Sequence, residues 1–213
     1  MTAPAPAGCG GVIIAGGRAT RMGGVEKPLL RLRGRAILDH IVERVRPQVD
    51  MLAIDVRSES RGAYADWSRH GVLLSDPFGG AVGPIGGIIG ALEWLASLEG
   101  PFRWLATFPG DAPFVPRDLV ARLRDRAGAN GSRPVVARDA HDVQGLFALW
   151  PLGCRAELTR CVRQQGLRSV REALHAFDSI GCDVCDARAF TNINAESDLR
   201  AAASLVDDAV MAG

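Results

Sequence analysis

Residues 14–27 read Ile-Ala-Gly-Gly-Arg-Ala-Thr-Arg-Met-Gly-Gly-Val-Glu-Lys, which places four glycines and three cations in one stretch. Glycine lets backbone N–H groups approach an anion without side-chain obstruction, and Arg21 and Lys27 supply countercharge for phosphates. The chemistry this implies is phosphate binding. It is not a Walker A loop, because no Gly-Lys-Ser/Thr follows, and it lacks the G-x-G-x-x-G order of a dinucleotide fold. A second chemical centre is Asp111, in Pro109-Gly110-Asp111 after an apolar run. An acid at a strand end can hold a hard cation through oxygen, and magnesium needs only one or two carboxylates when phosphates supply the remaining ligands. Asn192 and Asn194 alternate on an extended segment, so both amides face one side, where they can hold a phosphate or a ring, and Asn194 can also cap the helix that follows. If the attacking group is an anionic phosphate oxygen, no general base is required, and catalysis reduces to alignment and charge stabilisation.

The elements that must position these groups alternate along the chain. The apolar run 12–14 reads as a buried strand entering the glycine-rich loop. Leu38, Ile41, Val42, Val45 and Val49 then form the stripe of an amphipathic helix. Further strands are expected at 51–56, 72–74, 104–108, 135–138 and 146–150, with a helix over 85–98. Pro116 suits a first helical turn. Ser169 and Glu172 have the spacing of a capping box, and a final helix is expected from about Asn194, with Glu196 and Asp198 favourable in its first turn. Strands alternating with helices at this spacing imply an α/β fold, a single doubly wound, mostly parallel sheet with helices on both faces. In such sheets ligands bind beyond the carboxyl ends of the strands, so the loops after Ile14, Leu74 and Phe108 should share one crevice.

The chain has 213 residues with 25 Lys plus Arg against 24 Asp plus Glu, and a formal net charge of +1 argues against a non-specific binder of nucleic acid or of anionic membranes. Hydrophobic residues at 47% and charged ones at 23% suit a globular protein with a real core. The length suggests one domain over 11–213, preceded by a short disordered Ala/Pro-rich leader at 1–10. No apolar run reaches the roughly 20 residues of a bilayer span. Five scattered cysteines point to reduced thiols and a cytoplasmic protein. Cys182 and Cys185 form a C-x-x-C pair, but on a regular strand they project to opposite faces and cannot share a metal.

The 14–27 stretch resembles the L-A-G-G-x-S-x-R-M-G-x-x-K signature of the molybdenum cofactor guanylyltransferases (the MobA type). Asp76, Gly83-Pro84-Ile85-Gly86-Gly87, Gly110-Asp111-Ala112-Pro113-Phe114-Val115-Pro116 and Phe190-Thr191-Asn192-Ile193-Asn194 resemble the family's other landmarks in order. The resemblance implies a nucleotidyltransferase that joins GMP from GTP to the terminal phosphate of molybdopterin, releases pyrophosphate and uses Mg2+. It implies GTP contacts at Ile14, Ala15, Gly16, Gly17, Lys27, Asp55, Asp76 and Asp111. Arg21, Lys27 and Asp111 become the expected catalytic residues and Asp111 the metal ligand. Gly83, Pro84, Arg168, Asn192 and Asn194 become the expected molybdopterin contacts. Proteins that hand over or accept the cofactor would be transient partners. Asp55 stands where the family carries Asn, Glu26 where it carries Asp, and Gln144-Gly145 where it carries His-Pro. Related cytidylyltransferases usually read Ala-Ala-Gly at Ala15-Gly16-Gly17, which favours guanine. A CTP-dependent enzyme, another small-phosphate nucleotidyltransferase and a non-catalytic nucleotide-binding partner protein are the alternatives.

Overall fold

The structure, a computed structural model, describes residues 8–16, 26–128, 131–140, 142–186 and 188–211. Gly17, Arg21 and leader residues 1–7 lie outside the described residues. The strands are β1 (Gly8–Ile14), β2 (Arg31–Leu32), β3 (Arg35–Ala36), β4 (Met51–Asp55), β5 (Val72–Leu74), β6 (Phe102–Pro109), β7 (Val135–Arg138), β8 (Val143–Pro151) and β9 (Ile180–Asp183). The α-helices are α1 (Ile37–Val45), α2 (Pro84–Ser97), α3 (Leu119–Ala127), α4 (Arg155–Gln164), α5 (Val170–Ala176) and α6 (Glu196–Met211). Seven strands form one sheet in the order β5-β4-β1-β6-β8-β7-β9, and β2 and β3 form a separate small hairpin.

Pairing in the sheet is parallel except where β8 runs against both β6 and β7. The expected doubly wound, mostly parallel sheet is therefore the observed one. Successive residues of β1 serve opposite faces, as the period of a strand requires. Ile13 packs with Ile41, Val45, Phe108 and Val120 on one side. Val12 and Ile14 pack with Ile85, Ile89, Trp150 and Leu158 on the other.

Several boundaries differ from the sequence reading, each for a physical reason. The first strand begins at Gly8, so residues 8–10 belong to the sheet and not to the leader. Its glycines look like loop residues but serve packing: a Cβ on Gly10 would lie 2.7 Å from Leu95 Cδ1, and one on Gly11 would lie 2.9 Å from Val49 Cγ1. The first helix ends at Val45 instead of running to Val49, and a 3-10 turn follows at Arg46–Gln48. Pro47 explains this, since it has no N–H to continue the helical ladder. The Ser169 capping box forms as expected, with Glu172 N–H donating to Ser169 Oγ at 3.1 Å. The last helix starts at Glu196, and Asn194 is not its side-chain cap: Asp198 Oδ2 accepts the Asn194 and Ala195 N–H groups at 2.8 Å each.

Cys182 is buried on β9 and Cys185 is exposed beyond its end. Among the described residues no three His, Cys, Asp or Glu side chains come together as a metal cage. No described helix is long and apolar enough to cross a membrane.

Candidate functional site

The carboxyl ends of β4, β1 and β6 are tied to one another by their own backbone. Ala15 N–H donates to Asp55 O, Val56 N–H to Leu74 O and Gly110 N–H to Ile14 O, all at 2.9 Å. The Ala15 amide and the Ile14 carbonyl are thereby used by the scaffold, and the exits of four neighbouring strands, β5, β4, β1 and β6, are brought side by side.

Beyond these ends lies a cavity of ≈ 200 Å³ lined by Ile14, Gly16, Asp55, Arg57, Asp76, Gly80, Gly83 and Pro84, among others. The loops after β1 and β5 share this crevice as expected, with the N-terminus of α2 as its wall, but the third loop lining it is the one after β4 and not the one after Phe108, whose Asp111 belongs to a separate cluster on the β6 side. The first turn of α2 can approach the sheet only because Gly86 and Gly87 have no side chains. A Cβ on Gly86 would fall 2.1 Å from Asp76 Oδ1, and one on Gly87 would fall 2.4 Å from Asp55 Oδ2. Asp76 shapes the loop that follows it, accepting Phe78 N–H on Oδ1 and Gly80 N–H on Oδ2, both at 2.7 Å. That local role is the one expected of an Asp at the start of a turn.

Asp55 is the chemically unusual group of the cavity. It is 4% exposed at the end of β4. Burial, and then the nearby charge of Asp76, push its pKa up to about 7, with no hydrogen bond among the described residues to oppose them. In the unfolded chain it would titrate near 3.8. Between those values the folded state binds the extra proton, so stability should fall as pH rises from about 4 to about 7. Asp55→Asn should remove that slope and raise stability above pH 7, read from urea midpoints across the range. An unchanged profile would contradict a carboxylate whose pKa burial and Asp76 raise.

On the β6 side of β1 lies a second cluster. Lys27 opens a 3-10 turn, Lys27–Leu29, and its stem is buried. Its Nζ donates to Asn194 Oδ1 at 2.6 Å and lies 3.6 Å from Asp111 Oδ2. Asn194 reaches this position because Ile193 is fully buried and its N–H donates to Asp111 O at 2.9 Å. Burial pushes the Asp111 carboxyl above its ordinary range, although Lys27 pulls it back. A carboxylate so placed beside an ammonium is suited to a site where cations and phosphate oxygens exchange places.

The residues expected to contact molybdopterin fall in two places. Gly83 and Pro84 line the cavity, and the Arg168 carbonyl is 3.8 Å from where a Gly83 Cβ would stand. Arg168 Nη1 donates to the Val162 and Leu167 carbonyls at 3.0 Å each, so part of its guanidinium caps the end of α4. Asn192 is exposed and, with Asn194, flanks the buried Ile193; of the two amides it is Asn194 that contacts Lys27. Gln144 Nε2 donates to Asp139 at 2.9 Å, fastening the start of β8 to the end of β7.

Sequence reasoning missed a network around Glu26. Its carboxylate accepts from Arg57 Nη2 at 3.0 Å, from Tyr64 Oη at 2.7 Å and from Ser60 Oγ. The three donors sit on or just before a run of 3-10 turns, Ser58–Arg69, that has no apolar periodicity to announce it.

Comparison with known proteins agrees with this architecture. A family model described as the MobA-like NTP transferase domain matches residues 11–177. A molybdenum cofactor guanylyltransferase of Mesorhizobium japonicum is 35% identical over 202 residues, covering 92% of this chain and 95% of the relative. One from Rhodopseudomonas palustris is 36% identical over 159 residues, covering 75% of this chain and 73% of the relative. The crystal structure of molybdopterin-guanine dinucleotide biosynthesis protein A from Archaeoglobus fulgidus has a TM-score of 0.75 at 21% identity, covering 93% of this chain and 99% of that one.

Proposed function

The chain belongs to the MobA-like NTP transferase family and is a nucleotidyltransferase, and from that premise we propose that it joins GMP from GTP to the terminal phosphate of molybdopterin and releases pyrophosphate. The observation that carries this reading is the buried Lys27 ammonium, held between Asp111 and Asn194 at the end of β6, the strand next to the β1 end that lines the cavity.

In this reading the cavity takes the nucleoside and the Lys27 cluster takes the phosphates. The acceptor phosphate oxygen attacks the α-phosphorus, a P–O bond forms, and the bond to the β-phosphate oxygen breaks with pyrophosphate as the leaving group. The attacking oxygen is already anionic, so no side chain has to remove a proton. Lys27 donates to phosphate oxygens and offsets the charge that moves onto the leaving group, an interaction that strengthens toward the transition state. Mg2+ bound with the triphosphate supplies further neutralisation of phosphate charge. Asp111 would hold it: one carboxylate suffices for an ion that keeps its waters and shares phosphate oxygens, and the described donor set offers no larger cage. Asn192 and Asn194, with Arg168, whose backbone lies next to Gly83, are the groups this reading assigns to the acceptor.

Base choice follows from Asp55. A carboxylate only accepts hydrogen bonds, and guanine presents two adjacent donors, its N1–H and its exocyclic amine, whereas cytosine presents the exocyclic amine alone. Seating guanine would give the buried carboxylate the partners it lacks and draw its pKa down again. We expect GTP to bind at least about tenfold more tightly than CTP, roughly 1.4 kcal/mol. Calorimetric titration with each nucleotide tests this, and equal or tighter CTP binding would overturn the guanine assignment.

A further inference from the structure

Lys27 carries a long, flexible side chain, and holding such a chain in one conformation costs conformational entropy. Its placement depends on the backbone from which it springs, and the structure shows what holds that backbone. Glu26 is extended, and its carbonyl accepts Leu29 N–H at 2.9 Å, closing the short turn in which Lys27 sits. Its side chain is 14% exposed and turns away from Lys27, toward the segment after β4. There it takes three donors: Arg57 Nη2 at 3.0 Å, Tyr64 Oη at 2.7 Å and Ser60 Oγ. Tyr64 is fully buried, so this anchor is part of the packed core.

Glu26 and Lys27 therefore point in opposite directions from adjacent positions. One is fastened to the β4 side of the sheet, and the other reaches the ends of β6 and of the segment before α6. The Glu26 carboxyl lies below its ordinary range: burial works against this, but the hydrogen bonds from Ser60, Tyr64 and Arg57 outweigh it. The anchor is thus charged at neutral pH and acts as a fixed acceptor for all three donors.

We propose that Glu26 is a positioning residue for the transfer: clamped by Arg57, Ser60 and Tyr64, it sets the backbone that aims the Lys27 ammonium between Asp111 and Asn194. The inference rests on the reading of Lys27 as the phosphate contact. Arg57 also lines the cavity, and it keeps a second partner, Glu59 Oε1 at 3.4 Å from its Nη1, so loss of the Glu26 charge leaves it on the cavity wall. The effect should accordingly fall on rate more than on nucleotide binding.

The test compares kcat and KM for GTP in the wild type, Glu26→Gln, Glu26→Asp and Tyr64→Phe, each normalised to the folded fraction from thermal melts. Misplacing a charged group by a fraction of an ångström lowers kcat, and we expect Glu26→Gln to lose about tenfold to a hundredfold with KM changed by less than about threefold. Glu26→Asp, which keeps the carboxylate, should recover most of that loss. Tyr64→Phe, which removes one donor while preserving the buried ring, should show a smaller loss of the same kind. A kcat per folded enzyme within about twofold of wild type in Glu26→Gln, or equal losses in the Gln and Asp variants, would overturn the proposal. A wild type that turns over no nucleotide would refute the transfer reading itself, a result distinct from either.

Discussion

Replacing Asp111 with asparagine is expected to lower magnesium-dependent turnover by about a thousandfold or more while leaving the melting temperature unchanged or slightly raised. The first half follows from charge. In the proposed transfer, a metal held by this carboxylate would offset phosphate charge in the transition state by several kcal/mol, and each 1.36 kcal/mol is a factor of ten in rate. The second half follows from burial. The Asp111 carboxyl is pushed above its ordinary range even with Lys27 at 3.6 Å, so its ionised form is a net cost to the fold at neutral pH. Asparagine keeps the shape and removes that cost. Steady-state kinetics with magnesium, together with a melting curve, read both halves. Retained activity would remove Asp111 from the transfer site, and a large drop in melting temperature would show that its role is structural.

Lys27→Ala is the second large effect. Removing one preorganised donor from a site where charge develops lowers kcat by about 10² to 10³ in comparable cases. Affinity for GTP should fall by no more than about tenfold, because the interaction strengthens as charge moves onto the leaving pyrophosphate. The same substitution strands Asp111 without its cation, which should raise the Asp111 pKa further and move the acidic limb of the pH–rate profile upward. Kinetic and calorimetric titrations separate these terms. Equal losses in affinity and in kcat/KM, with kcat intact, would make Lys27 a ground-state contact only.

The parts of this site that were legible in the sequence are those carried by local pattern. Ile14 to Gly16 at a strand end, Asp76 at the start of a turn and Asp111 after an apolar strand lie where spacing and residue type put them, whereas Pro116 stands before the cap of α3 and it is Pro84 that occupies a first helical turn, that of α2. What the pattern could not supply are contacts between distant segments. Lys27 meets Asn194 across 167 positions of sequence, and no periodicity marks either residue as the partner of the other. Asn194 read naturally as a helix cap, and its side chain serves Lys27 instead, while Asp198 caps the helix from inside its first turn. The reversed direction of β8 is likewise silent in the sequence, since an apolar strand reads the same both ways. The β2–β3 hairpin was missed because its turn is Arg33-Gly34, with both residues at positive φ, 51° and 81°. An arginine there lacks the Asn-Gly or Asp-Gly signature of such turns. Asp55 was visible as an acid in place of an amide, but its burial against Gly16 and Gly87 is a property of the packed helix and sheet together.

Transfer of GMP to a phosphate of molybdopterin, with the nucleoside in the cavity and the phosphates at Lys27 and Asp111, makes the identity of nucleotide and acceptor the decisive observable. The most direct measurement incubates the purified chain with magnesium, molybdopterin and each nucleoside triphosphate in turn, following pyrophosphate release and the mass of the pterin product. Pyrophosphate should be released only when GTP and acceptor are both present, with the pterin heavier by one guanylyl unit. Release with CTP in preference to GTP, or no acceptor-dependent release with any nucleotide, would contradict it.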